Sequence, residues 1–283
     1  MNNLFFYIVT GFSLMLSQGN YQVLSTPLNF NNTFQMHDFY HDKNYSVFHS
    51  SLPSDINIFS ATVSSKIFKK EKSAIPYFVT LKNIDYGTLR DSETNYQFSA
   101  HESAIEFGFF KEDYVEDIDC FFNIGYLKSS IDIFDSEAFY IGFKSIIPVF
   151  NNDEIILSFD NFGNVLESYS DAHIELPETI SLSYSINMPL PISMLFNYAT
   201  RLDLNHSVLH GTLHIGLNPQ LDLYISTRSD RSNLFYGDYI QELTAGFSIG
   251  LGYIDNTNLF NFGIQNLGAA GYTSSFSFSK SIL

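Results

Sequence analysis

His206, His210 and His214 stand four residues apart, and their type and spacing invite a chemical reading first. An imidazole titrates near neutral pH and ligates metals through either ring nitrogen, so such a set could hold an ion or relay protons. On a strand this spacing keeps all three on one face but sets neighbours roughly 13 Å apart, too far to share one metal. They are read as polar side chains facing an enclosed interior, with a metal or proton-relay role as the alternative. His37-Asp38 and His41-Asp42 repeat a His-Asp pair at a spacing of four. On a helical turn these would share a face and could form a small metal site; in a solvated arm they would form none. No Gly-x-Ser-x-Gly elbow, phosphate-binding loop or His-Glu-x-x-His helix occurs. Asp153, Glu154 and Asp160 have no spacing that pairs them, and Lys69, Lys70 and Lys72 read as a solvated hairpin end. The expectation is a protein without catalytic residues, metal or cofactor.

The elements that would carry these residues are strands. Between Glu178 and Met188 the chain alternates, with Ile180, Leu182, Tyr184, Ile186 and Met188 on one side. Thr179, Ser181, Ser183, Ser185 and Asn187 fall on the other, and period two sends the two sets to opposite faces. Pro189-Leu190 breaks the run before a second candidate, Pro191–Leu202. Strands of about ten residues cross a bilayer when tilted, and an aliphatic face backed by a hydroxylated one suits lipid outside and a polar interior.

Composition agrees. Hydrophobic residues are 45% of the 283, Phe (29) and Tyr (18) are abundant, and Trp is absent. Aromatics at this level suit strands and interfacial girdles; a secreted β-sandwich rich in Phe is the alternative. Leu4–Leu16 followed by Ser17-Gln18-Gly19 reads as a secretory signal over 1–19, although no Lys or Arg precedes the apolar run. That run is too short for a spanning helix. Cys120 is the only cysteine, so no intramolecular disulfide forms, and export without disulfides fits a bacterial envelope protein. The net charge of −16 repels phosphate backbones and argues against nucleic-acid partners.

After an Asn-rich arm or partial plug over 20–44, strand candidates recur to the end of the chain. They are Tyr45–Ser51, Ile56–Phe68, Ile75–Gly87, Ser103–Lys111, Glu116–Ser129, Ser136–Pro148 and Asp153–Phe162. The series goes on with Glu178–Met188, Pro191–Leu202, His206–Leu217, Gln220–Arg228, Gln241–Ile254, Asn258–Asn266 and Gly271–Ile282. The even total predicts a closed, all-β antiparallel barrel of about 14 strands over 45–283. Three connections are long, Thr88–Glu102, Gly163–Pro177 and Ser229–Ile240, and four strands separate each from the next. All three therefore belong at one end and both termini at the other, as in outer-membrane barrels. In Gln241–Ile254, Leu243, Ala245, Phe247, Ile249, Leu251 and Tyr253 are expected to face lipid. In the last strand Tyr272, Phe276, Phe278 and Ile282 oppose Thr273, Ser275, Ser277, Ser279 and Ser281.

The stretch IDYGTLRDSETNYQFSAHESAIEFGFF (Ile84–Phe110) resembles the PorV/PorQ family, and its PorQ branch in particular. Members carry an aromatic-rich strand ending in Asp-Tyr-Gly-Thr, an acidic loop, then Phe-Ser-Ala and an acidic residue opening the next strand. Asp85, Tyr86, Gly87, Thr88, Phe98, Ser99, Ala100 and Glu102 match that layout. Further similarity runs through Ile124–Phe143, Leu176–Met194 and the closing GYTSSFSFSKSIL. The Ala-Leu-Gly-Gly stretch and the Asn-Pro-Ala motif that relatives carry near the mature N-terminus are missing from Met36–Ser51. The resemblance implies an outer-membrane barrel related to the fatty-acid transporter (FadL-like) fold, serving type IX protein secretion as an accessory or cargo-interaction component. Its partners would be outer-membrane lipid and other secretion proteins or cargo, met at the long loops. A transporter of hydrophobic small molecules and a soluble β-sandwich adhesin are the alternatives.

Overall fold

The computed structural model describes residues 43–68, 74–90, 94–115, 118–150, 153–169, 175–234 and 244–282. The signal, the arm up to Asp42 with both His-Asp pairs, and the Lys69–Lys72 group lie outside the described residues. Fourteen antiparallel strands close into a barrel in sequence order. The first seven are β1 (Lys43–Ser51), β2 (Asn57–Phe68), β3 (Ala74–Arg90), β4 (Gln97–Val115), β5 (Ile118–Ile131), β6 (Phe134–Pro148) and β7 (Glu154–Glu167). The second seven are β8 (Thr179–Asn187), β9 (Ile192–Arg201), β10 (His206–Asn218), β11 (Leu221–Arg228), β12 (Ser248–Asp255), β13 (Asn258–Asn266) and β14 (Tyr272–Ile282). Closure is made by the first and last strands, in register from Lys43↔Ile282 to Ser51↔Ser274. Each strand thus has a neighbour on both sides, the condition for burying a backbone in hydrocarbon.

Cross-strand partners point to the same face, so the ladders trace rows around the wall. One outward row is Leu157↔Leu182↔Tyr198↔Leu209, and one inward row is Ser183↔Asn197↔His210. Leu182 is 53% exposed while Ser183 is 2% exposed. The grease is outside and the hydroxyls are inside. Near the terminus-bearing end the outer face carries aromatic contacts, with ring centroids 5.1 Å apart for Phe109–Phe122 and 4.9 Å for Phe122–Phe143. Tyr45–Phe278 at 5.9 Å and Phe260–Phe278 at 5.0 Å continue the belt across the closing seam. Such girdles sit where hydrocarbon meets headgroup.

The connections sort by end. Those after β3, β7 and β11 share one end, and Lys43 and Ile282 lie at the other, as the loop lengths predicted. The wall is uneven. β3 to β7 are 14 to 19 residues long, whereas β8 to β14 are 8 to 13. On the outer face of the tall side the apolar row Leu81↔Ile105↔Tyr126↔Phe139 gives way to Asn83↔Ser103↔Lys128↔Glu137. Asp85↔His101↔Ser130↔Asp135 follows, so these strands rise past the apolar band toward the long-loop side.

Several strand boundaries differ from the sequence reading. β3 runs through Gly87 to Arg90 and β4 begins at Gln97, so the Thr88–Glu102 loop shrinks; β7 likewise continues to Glu167. β12 begins at Ser248 rather than Gln241. Gly246 has φ +76° and the Phe247 amide donates to Thr244 O, a turn that no strand can pass through. Ala245, expected on the lipid face, is fully buried there. Leu243 lies outside the described residues.

Placing a charge on the lipid face at mid-strand should destabilise the barrel by about 2–4 kcal/mol. Leu182→Arg is expected to lower the unfolding free energy in vesicles by that amount, read from denaturant titration. Its neighbour Ser183→Ala should keep that free energy within about 1 kcal/mol, the worth of one hydrogen bond.

Candidate functional site

The inner wall of β2 to β7 is not the plain hydroxyl lining that the alternation suggests. One inward row runs Thr62↔Thr80↔Glu106↔Gly125↔Tyr140↔Gly163. The Tyr140 ring lies flat over Gly125, where a Cβ would fall 2.2 Å from it, and its hydroxyl reaches β4 to donate to Glu106 Oε1 at 2.9 Å. Lys82 Nζ donates to the same oxygen at 2.5 Å, both side chains being 10% exposed. Thr62 and Thr80 bridge at 2.9 Å beside them. Lys144 sits within electrostatic reach of Asp160, Lys82 and Glu106. Ser158 donates to Asp160 Oδ2 at 2.7 Å and exchanges a hydrogen bond of the same length with Ser181.

Apolar layers bound this charged belt on both sides. Toward the long-loop end Phe48, Ile58, Ile84 and Leu127 pack with Leu176, which the β7–β8 connection folds in over the mouth. Toward the terminus-bearing end Phe78, Phe110, Phe121, Ile146 and Ile156 pack together. An ion pair between such layers is poorly screened, and removing one partner leaves an uncompensated charge. The belt therefore holds β3, β4 and β6 in one arrangement.

The residues that carry the PorV/PorQ resemblance gather at the tall end of β3 and β4. The ladder slips between Asp85 and Thr88, which pair with His101 and Ser99, so Tyr86 and Gly87 together face Ala100. Gly87 takes φ +68°, and its amide donates to Asp85 Oδ1 at 2.9 Å. This bulge turns Tyr86 inward, where its hydroxyl donates to Glu102 Oε1 at 3.1 Å. Ser99 O accepts from the Asp132 amide at 2.9 Å, and Phe98 stacks on Tyr96 with centroids 6.4 Å apart. Tyr96 in turn donates to the Asp132 carboxylate at 3.0 Å, which keeps its hydroxyl protonated above the usual tyrosine range. The motif thus builds a bulge and ties the β3–β4 tip to the β5–β6 turn.

His206, His210 and His214 share the inner face of β10, opposite Arg201, Asn197 and Ser193 on β9. They do not converge. Asp230 lies near His206 and His210; burial works against its ionisation, but the Arg228 guanidinium outweighs this and holds its carboxyl below the usual range. His214 has its own neighbours: Ser193 Oγ at 3.1 Å from Nδ1, Asp222 Oδ1 at 3.1 Å from Nε2, and the Tyr224 ring stacked at 4.8 Å. Serine, imidazole and carboxylate in a line are the parts of a nucleophile and its base. Here the Nε2 contact is close but poorly directed, and Ser193 is 7% exposed, so the line serves as a polar ladder across three strands. No group of three or more His, Cys, Asp or Glu among the described residues is placed to hold a metal ion.

Lys82, Glu106 and Tyr140 are absent from the sequence reading. Their signal was parity, since Glu102, Ala104, Glu106 and Gly108 alternate with Ser103, Ile105, Phe107 and Phe109 along β4. Gly125→Ala should push Tyr140 off Glu106 and lower stability by about 1–3 kcal/mol, read as a shift in denaturant midpoint. Gly211→Ala, where a Cβ meets nothing nearer than 4.0 Å, should leave the midpoint unchanged.

No family model matches this sequence, and no curated protein matches it. Solved structures match its shape. The outer membrane protein Omp33 of Acinetobacter baumannii superposes with a TM-score of 0.50 at 9% identity, covering 86% of this chain and all of that one. The monoaromatic hydrocarbon channel TodX superposes with a TM-score of 0.51 at 9% identity, over 86% of this chain and 91% of that one. Together with the closed ring of strands and its outward apolar face, this places the chain among the bacterial outer-membrane β-barrels.

Proposed function

We propose that this barrel is a non-catalytic docking component of protein export at the outer membrane, a PorQ-like accessory or cargo-interaction part of type IX secretion. The observation that carries the reading is the raised β3–β6 rim. These strands continue past the apolar band, and the Asp85–Thr88 bulge, the Tyr86–Glu102 bond and the Tyr96–Asp132 bond brace their ends. A rim that is polar on its outer face and internally braced is a surface for a protein partner rather than for lipid. The residues that carry the PorV/PorQ resemblance are the ones that build it. Tyr86 and Glu102 are turned inward onto each other, and the partner would meet the exposed tip at Thr94, Asn95 and Tyr96.

A channel for small apolar solutes is the second reading, favoured by the fold shared with TodX and by the apolar layer in the mouth. The Lys82–Glu106–Tyr140 belt weighs against it, because an apolar solute loses contacts beside buried charge.

Replacing residues 91–96 by a Gly-Ser linker of equal length separates the two. Under the docking reading the variant keeps the heat-modifiable migration of a folded barrel but loses co-purifying envelope proteins and cargo release. Unchanged partners and release, with uptake of a small hydrocarbon by wild-type proteoliposomes, would overturn docking in favour of the channel.

A further inference from the structure

The two sides of the interior differ in how well they are filled. Barrel width grows with strand number: eight strands enclose a space that side chains fill, and fourteen enclose more. On the β2–β7 wall large side chains take up that extra width, with Phe110 and Leu127 fully buried and Tyr140 only 1% exposed. The inner face of β10 is the opposite case. His206 and His210 point inward yet are exposed, and Thr212, His214 and Gly216 are half-buried; in this row only Val208 is buried. Their partners Ser226 and Arg228 on β11 are half-buried too. An inward side chain that stays exposed borders space that water enters, and a roomy space lined by imidazole, hydroxyl and guanidinium groups stays wet. The row runs from His206 near the long-loop end to Gly216 near the terminus-bearing end, so this wet space follows the length of the strand.

Charge on this wall is concentrated in its long-loop half. Arg201 pairs across the β9–β10 ladder with His206, and Arg228 pairs across the β10–β11 ladder with His210. Each arginine is held by an aspartate two residues on. Arg201 Nε and Nη2 donate to Asp203 at 3.1 and 2.6 Å, and Arg228 donates to Asp230 in the same two-pronged way. Asp230 also lies near both imidazoles, while His214 farther down has Asp222 as its own neighbour. The two Arg–Asp pairs compensate themselves, so His206 and His210 set the sign of the field. We propose that the inner wall of β9, β10 and β11 lines a narrow aqueous path for small hydrophilic ions, which turns toward anions when His206 and His210 are protonated. Above the imidazole range this half of the wall carries little net charge; below it, two imidazolium groups stand beside neutral pairs. The path is separate from the braced rim and from the Lys82–Glu106–Tyr140 belt, and its solutes are hydrophilic where those of a hydrocarbon channel are not.

Purified barrel, its folding checked by heat-modifiable migration, is inserted into planar bilayers in potassium chloride and should give discrete current steps. Thr212→Cys and Ser226→Cys, each in a Cys120→Ser background, are then treated with a charged methanethiosulfonate. Their currents fall, whereas Ala104→Cys on the filled wall keeps its current. Under a salt gradient the wild-type reversal potential moves toward that of chloride between about pH 7.5 and about pH 5, and the His206→Gln, His210→Gln double variant loses the shift. Ser226→Cys decides the matter where Thr212→Cys fails to insert. Folded protein without current steps overturns the path. So do currents that modification leaves unchanged at both wall positions, or that it blocks equally at Ala104→Cys. A pH shift that survives in the double variant overturns the part given to the two imidazoles.

Discussion

Backbone hydrogen bonds that cannot be left open in hydrocarbon are the constraint behind this molecule. An open sheet would expose a row of N–H and C=O groups at each edge, each costing several kcal/mol where no water can reach it. The pairing of β1 with β14 removes those edges, and the first and last described strands must therefore meet. Closure also divides every strand into a lipid side and an enclosed side. Ser275 and Ser277 on β14 and Ser181 and Ser183 on β8 turn inward for the same reason that Phe276 and Leu182 turn outward.

Within that ring the interior is organised by size as much as by polarity. Glycines at 108 and 125 on the inner wall make room for the Phe78 and Tyr140 rings to lie flat across the neighbouring strand. A ring that lies flat spans a whole strand spacing, so Tyr140 reaches from β6 past β5 to Glu106 on β4. The result is a charged belt between two apolar layers, in which Lys82 and Glu106 stabilise one register and make alternatives expensive. The other half of the wall is built differently: β8 to β14 are shorter, and their inner face is mostly Ser, Thr, Gly and His. Height and interior filling thus occur on the same side of the barrel.

The β3–β4 tip follows from the same rules. An aspartate two residues before a left-handed glycine caps the glycine amide and forces a bulge, and the bulge turns a tyrosine inward onto a glutamate. Asp85, Tyr86, Gly87 and Glu102 are, in physical terms, a device for bracing the end of a long hairpin.

The sequence by itself determined the ring. Alternation in Glu178–Met188 and Gly271–Ile282, loops sorted by parity and the even strand number require only local geometry, and local geometry is what residue order encodes. It also assigned the three histidines of β10 to one face, because period two is a property of a single strand. Only the tertiary structure decided which inward side chains meet. Glu106 and Tyr140 are separated by a strand and by 34 residues, and nothing local distinguishes that glutamate from any other acid. It likewise decided where alternation stops being strand. Ala245 and Phe247 keep the period, yet Gly246 turns the backbone and buries Ala245, because residues 244–247 form a turn at the barrel end rather than a strand across lipid. Periodicity reports a face; contact across strands reports a site.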